Sequence, residues 1–189
     1  MVDQEISLLG YALLGLLQQE PRSGYDLRKI FATTPMTSFS DSPGSIYPAL
    51  RRLENRGLIR SEVQDRNGLR RRRLFHLTNN GIHELRRWQR QPIRRDDIVR
   101  GIDALMLRFA FIDESLGEEE AIRFLSELES ELELYVPTLR AYLHQHRAGM
   151  PLSGRLALES GIINYEGLHK WVRNAIKAYR SEKKSRRKP

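Results

Sequence analysis

The sequence predicts a mainly α-helical chain in two parts, and three observations predict it. Apolar residues recur at helical spacing through the front ninety residues, interrupted once by the hairpin signal Asn67-Gly68. Beyond them, apolar residues spaced four or three apart run on to Tyr179. The charge of the 189-residue chain, +8 in total, is uneven: residues 1–90 carry net +6, 91–172 net −5 and 173–189 net +7. A chain of this length can bury a real core, and 40% hydrophobic content is too apolar for disorder. With no cysteine, disulfides, thiolate metal centres and thiol catalysis are excluded.

The front part reads as three helices, a hairpin and a fourth helix. Ser7 to Gln19 is a first helix whose apolar residues are too dense for a surface element. Its run Leu8 to Leu17 resembles a signal-peptide core, but Asp3 and Glu5 precede it where cations should sit, and it is far short of the ~20 residues that span a bilayer. It reads as a core helix of a soluble, cytoplasmic protein. Ser23 caps a short second helix, Gly24 to Ala32, with Asp26 placed to reach back. Thr33 to Ser42 reads as a loop. A third helix spans roughly Pro43 to Arg56, with two possible starts. Capped by Ser45, it holds Pro48 in its first turn; capped by Ser42, it starts irregularly. Gly57 ends it. Leu58 to Arg66 and Leu69 to Leu77 form the hairpin, and Thr78 caps Asn79 to Gln89.

The remainder reads as helix throughout. Ile98, Ile102, Leu105, Phe109 and Ile112 share one spacing, and Ser115 to Glu118 reads as a capping box. Ala121, Leu125, Leu128, Leu132, Tyr135, Leu139, Tyr142 and His146 form a seam of coiled-coil type, with Pro137 expected to kink it. A last helix, Leu152 to Ser181, carries Leu158, Ile162, Tyr165, Leu168, Val172, Ile176 and Tyr179. Amphipathic helices without a core of their own need a partner surface, and a second copy of the chain is the economical one. The expected dimer contacts are Leu125, Leu128, Leu132, Leu139, Ile162, Tyr165, Val172 and Ile176.

No catalytic constellation stands out, and no cofactor or metal is expected. His144 and His146 lie two apart on a helix, so their rings diverge. Glu127, Glu129, Glu131 and Glu133 read as a solvated flank or one complementary to a basic partner. No glycine-rich phosphate loop or serine elbow occurs. The cationic signal is stronger. Residues 51–73 hold nine arginines against three acids, with Arg51 and Arg52 on the third helix and Arg70 to Arg73 on the second strand of the hairpin. A helix with Ser and Arg in its front half fits a major groove, and a basic hairpin beside it can grip the backbone. This is the layout of a winged helix-turn-helix, and it points to double-stranded DNA. The terminal Lys183 to Lys188 either adds phosphate contacts or is a solubilising end.

Residues 7–90 resemble the winged-helix domain of the PadR family of bacterial transcriptional regulators. The resemblance rests on the apolar first helix before Pro21, on Gly24-Tyr25-Asp26-Leu27, and on Ser42-Pro43-Gly44-Ser45-Ile46-Tyr47-Pro48-Ala49-Leu50. Leu53-Glu54, Gly57-Leu58-Ile59, the basic wing, Leu77-Thr78, Gly81 and Trp88 follow in order. Residues 95–182 are similar in layout to the longer, three-helix C-terminal region of one branch of the family. The resemblance implies a homodimer that represses transcription from a palindromic operator and is released by a small aromatic or phenolic effector. It implies DNA contacts from Ser42, Ser45, Tyr47, Arg51 and Arg52 on the recognition helix and from Arg70, Arg72 and Arg73 on the wing. Where the family has an aromatic pair on the second strand this chain has Leu74-Phe75, so Phe75 reads as core.

The expected domains are a winged-helix DNA-binding domain, 1–91, a helical dimerisation and effector region, 92–182, and a basic disordered tail, 183–189. Tyr142, Tyr165 and Trp171 are candidates either for an effector pocket or for plain packing. Two rival readings remain on the sequence alone: a protein-interaction adaptor, and a nucleoid-associated DNA binder without an operator.

Overall fold

The computed structural model describes residues 5–34, 43–66 and 69–186. The chain divides into two compact units, Met1–Gln91 and Pro92–Pro189. The first holds α1 (Leu8–Gln19), β1 (Arg22–Ser23), α2 (Gly24–Thr33), α3 (Pro43–Asn55), β2 (Ile59–Arg66), β3 (Leu69–Leu77) and α4 (Asn79–Gln89). The second holds α5 (Arg95–Arg100), α6 (Ile102–Ala110), α7 (Ile112–Leu116), α8 (Glu118–His146) and α9 (Leu152–Arg186). The fold is mainly helical, with one small antiparallel sheet.

In the first unit the density of apolar residues on α1 is explained by burial on all sides: every residue from Leu9 to Leu17 is buried. Buried with it in this unit are Leu27 and Phe31 of α2, Ile46, Leu50 and Leu53 of α3, Phe75 of β3 and Leu85 of α4. Ser7 caps α1 by accepting from the Gly10 N–H. Ser23 and Asp26 form the reciprocal capping box of α2. Thr78 caps α4, and its hydroxyl also reaches the Gly57 and Leu58 carbonyls, tying α4 to the end of α3. Tyr11 of α1 stacks on Trp88 of α4 at 4.1 Å between ring centres. Burial raises the Tyr11 phenol's pKa, and its hydrogen bond to Glu84 adds to the rise.

The sheet has strand order β1-β3-β2. Its third member, β1, pairs Arg22 with Phe75 and Ser23 with Leu74. The sequence reading missed it, because two residues are too few to show alternation. The hairpin pairs Ile59 with Leu77 and runs out to Arg66 with Leu69, with a register shift between Gln64 and Arg66.

The second unit has a core of its own, which corrects the expectation that these helices need a partner chain to bury their seam. Leu125, Leu128, Leu132 and Val172 are fully buried, and Ile162 and Ile176 nearly so, within one chain. The turn at 147–151 folds α9 back antiparallel on α8, so the two halves of the heptad pattern close on each other. Ion pairs of falling against rising number flank the seam: Glu119 with Lys183, Glu129 with Arg173 and Arg140 with Glu166. Of the expected dimer contacts, Leu139 and Tyr165 are half-buried.

Three further expectations change. The stretch 98–112 is broken at Gly101 and Phe111 into α5, α6 and α7 rather than running as one helix. Ser115 is buried and donates to the Phe111 carbonyl, so it does not cap α8; that position falls to Gly117, whose φ of +88° is costly for any residue with a Cβ. The tail does not leave the fold at residue 183. Helix α9 continues to Arg186, and Lys183 and Arg186 pair with Glu119 and Glu118. The acidic first turn of α8 and the basic last turn of α9 each suit their own helix dipole, and the fold sets them side by side. Residues 187–189 lie outside the described residues.

The seam sets the cost of damage. Leu128→Ala is expected to destabilise the protein by about 2–5 kcal/mol, as deletion of a fully buried leucine does, with a lower urea midpoint in chemical unfolding as the readout.

Candidate nucleic-acid interface

Helix α3 carries the face that matters. Ile46, Ala49, Leu50 and Leu53 are buried, and Gly44, Tyr47, Pro48, Arg51, Arg52 and Asn55 are exposed. The exposed set repeats at intervals of three and four, so it forms one solvated stripe along the helix. Pro48 has no N–H to donate to the Gly44 carbonyl, and both residues lie on that outward stripe. The helix begins at Pro43, whose fixed φ suits a first helical position. Ser45 therefore sits inside the first turn and is not its cap. Ser42, the other candidate, lies outside the described residues.

Tyr47 is 48% exposed, and its ring leans on Gly24 at the start of α2. A Cβ added to Gly24 would stand 2.6 Å from the Tyr47 ring, so the glycine is needed for the two helices to meet there. Beside it Tyr25 is 62% exposed, with the Arg28 guanidinium 5.8 Å from its ring centre. Arg51 and Arg52 are exposed, and neither has an ion-pair partner among the described residues. Two cations projecting freely from a helix face beside an aromatic ring can reach phosphates or base edges.

The wing arginines differ. Arg72 pairs with Asp26 and donates to the Ser23 hydroxyl at 3.2 Å. Arg73 pairs with Glu54 of α3 at 2.7 Å, donates to Ser61 at 2.9 Å, and lies 5.3 Å over the Phe75 ring. The two neighbours on β3 thus tie the strand to α2 and to α3. Arg70 is on β3, and its side chain is outside the described residues, as is the turn at 67–68. Phe75 is buried, 5% exposed, in agreement with its reading as core.

The carboxylates respond to their partners. Burial pushes Asp26 up, but hydrogen bonds from Ser23 and the Arg72 guanidinium outweigh it and hold the group below its ordinary value. At Glu54 the Ser61 hydroxyl is the largest influence, and with Arg73 it overcomes burial and lowers the carboxyl.

Asp26 was legible as a capping residue, but its second role as an anchor for Arg72 was not. Sequence reasoning also left out Pro48 and Asn55 from the outward stripe, although the spacing from Tyr47, Arg51 and Arg52 reaches both. The three aromatic candidates in the second unit are not gathered on one another. Tyr165 meets Tyr135 edge-on at 5.2 Å, Trp171 meets Phe109 at 5.6 Å, and Tyr142 stacks on His146 at 4.2 Å. Among the described residues, no helix is long and apolar enough to cross a membrane.

Residues 13–87 match the family model of the transcriptional regulator PadR-like family. The negative transcriptional regulator PadR of Bacillus subtilis (strain 168) is 33% identical over 116 residues, 60% of this chain and 61% of that protein. The chain thus aligns with about three-fifths of that relative's length. A crystal structure of Bacillus subtilis PadR in complex with operator DNA aligns at 25% identity over 93% of this chain and 99% of that one, with a TM-score of 0.43. A crystal structure of Bacillus subtilis PadR in complex with p-coumaric acid aligns at 23% identity over 94% and 98%, with a TM-score of 0.40. These are transcriptional regulators, not enzymes.

The two depressed carboxylates set an acid dependence. Their contribution to stability is complete above the unfolded values of 3.8 and 4.5 and is lost as pH falls through the lower folded values. The fall in urea midpoint between about pH 6 and pH 3 is therefore expected to be smaller in an Asp26→Asn, Glu54→Gln double variant than in the parent.

Proposed function

We propose that this chain, whose residues 13–87 match the model of the PadR-like family of transcriptional regulators, is a member of that family, binds a DNA operator as a dimer and represses transcription there, in the cytoplasm. The observation that carries the reading is the outward stripe of α3, where Tyr47, Arg51 and Arg52 project beside a wing already fastened to the same helix. The stripe enters the major groove, and the two free arginines supply the contacts that cost nothing to release. Arg72 and Arg73 chiefly hold the wing in place. To touch a phosphate, each would first give up a carboxylate.

Repression takes its support from the name of the 33%-identical relative, a negative transcriptional regulator. A small aromatic or phenolic effector that releases the operator, acting through the second unit, belongs to the same reading. Tyr142, Tyr165 and Trp171 are the aromatic side chains to test for it.

The dimer needs a surface other than the buried seam. Leu152, Leu156 and Ile163 are 60%, 52% and 65% exposed and share one face of α9, and Leu134 on α8 is 61% exposed. A single apolar face of that kind is unusual on a helix meant for water, and a second copy covers it in this reading.

Selection of bound duplexes from a random pool gives the operator, and fluorescence anisotropy on it tests the interface. Arg51→Ala and Arg52→Ala are each expected to cost about 1–3 kcal/mol of binding if they read bases, or to lower the salt slope by about one unit if they hold phosphate. Arg72→Ala is expected to shift the unfolding midpoint more than the slope. Unchanged affinity in both α3 variants, or equal affinity for selected and random duplexes, rejects the reading. For the dimer, sedimentation of a Leu156→Lys, Ile163→Lys variant is expected to give a monomer where the parent gives a dimer.

A further inference from the structure

Far along the α8–α9 pair from its acidic and basic ends, three side chains of metal-ligand type converge. Glu129 and Glu133 stand four apart on α8, so their carboxylates rise from the same face. His169 comes from α9 to meet them. One ligand atom from each residue lies within 4.8 Å of the other two.

The histidine gives this group its interest. Its side chain is only 24% exposed, and Nε2 is buried without a hydrogen-bond partner. The nearest carboxylate oxygen, on Glu133, is 3.7 Å away, beyond hydrogen-bond reach. A buried polar nitrogen left without a hydrogen bond is unfavourable, and a ligand at that nitrogen would relieve this. The neighbouring cation is Arg173, whose Nε stands 3.5 Å from Glu129 Oε1. Its side chain is 60% exposed, so it can swing into water, and an exposed pair of this kind is weak.

We propose that Glu129, Glu133 and His169 form a binding site for a divalent first-row transition metal of the zinc class, which clips α8 to α9. Two carboxylates and one neutral imidazole make a mixed oxygen and nitrogen donor set. The imidazole selects zinc, cobalt or nickel over calcium and magnesium, which take oxygen alone. Bonds of about 2.0–2.2 Å bring ligand atoms to roughly 3.3 Å from one another, so the site tightens on binding. The two glutamates have the torsional freedom to do this without moving the backbone. Three protein ligands leave at least one coordination position open to water or to a small donor. The inference concerns the second unit alone and does not rest on the DNA reading.

Full-length protein stripped with a chelator and titrated with Zn2+ against a chromophoric competitor tests it, with Co2+ absorption reporting the donor set. One ion per chain is expected. His169→Gln and Glu133→Gln are each expected to weaken binding by more than about tenfold. Arg173→Ala removes the competing cation and keeps every ligand, so it is expected to tighten binding. A His144→Gln, His146→Gln variant is expected to bind as the parent does. The proposal is overturned if the parent binds no zinc up to about 1 mM, if His169→Gln binds as tightly as the parent, or if binding disappears with His144 and His146. Should a ligand variant fail to fold, as far-ultraviolet circular dichroism would report, Arg173→Ala decides alone: unchanged affinity there overturns the proposal.

Discussion

Two carboxylates, Asp26 and Glu54, hold strand β3 to the helices of the first unit, and the shape of the whole candidate interface follows from that attachment. A two-stranded ribbon is marginal by itself and twists freely. Here the ribbon gains a short third strand at one edge and a guanidinium anchor to a helix on each side. Partly exposed ion pairs of this kind add at most about 1 kcal/mol each, so their effect is on direction more than on strength. Asp26 does two jobs at once, closing the capping box of α2 and fixing Arg72. The turn into α2 and the base of the wing therefore depend on one side chain.

The second unit settles its charges by the same means. Its heptad seam is closed within one chain, and Glu119 and Glu129 of α8 pair with Lys183 and Arg173 of α9. Of the flank that read either as solvated or as complementary to a basic partner, Glu129 meets a cation on the chain's own last helix. Arg108 of α6 is buried. It lies 5.2 Å over the Phe124 ring, and burial lowers its pKa while Asp97 and Glu127 oppose the shift.

Much of the first unit was legible because each of its elements is signalled by local chemistry. Ser23 with Asp26, Thr78 before α4, and Asn67-Gly68 between two strands are short-range features that a single sequence carries. The second unit was legible in its helices but not in their pairing. A four-three seam says that a helix has a partner, and it does not say whether that partner belongs to the same chain. The missed features share one cause. The partners of Arg72 and Arg73, the strand at Arg22 and the meeting of His169 with Glu129 and Glu133 all join residues far apart in sequence. Nothing local marks them.

The contact between Gly24 and Tyr47 carries one last consequence. The tyrosine's ring fills the space that a methyl group on residue 24 would need, so the two positions form a single steric unit although they belong to different helices. A descendant that exchanged Tyr47 for a smaller side chain would leave a gap that a larger residue at 24 could fill. Exchange at 24 first would push the ring off its seat. Sequence drift at this corner of the molecule thus has a favoured order: residue 47 changes before residue 24.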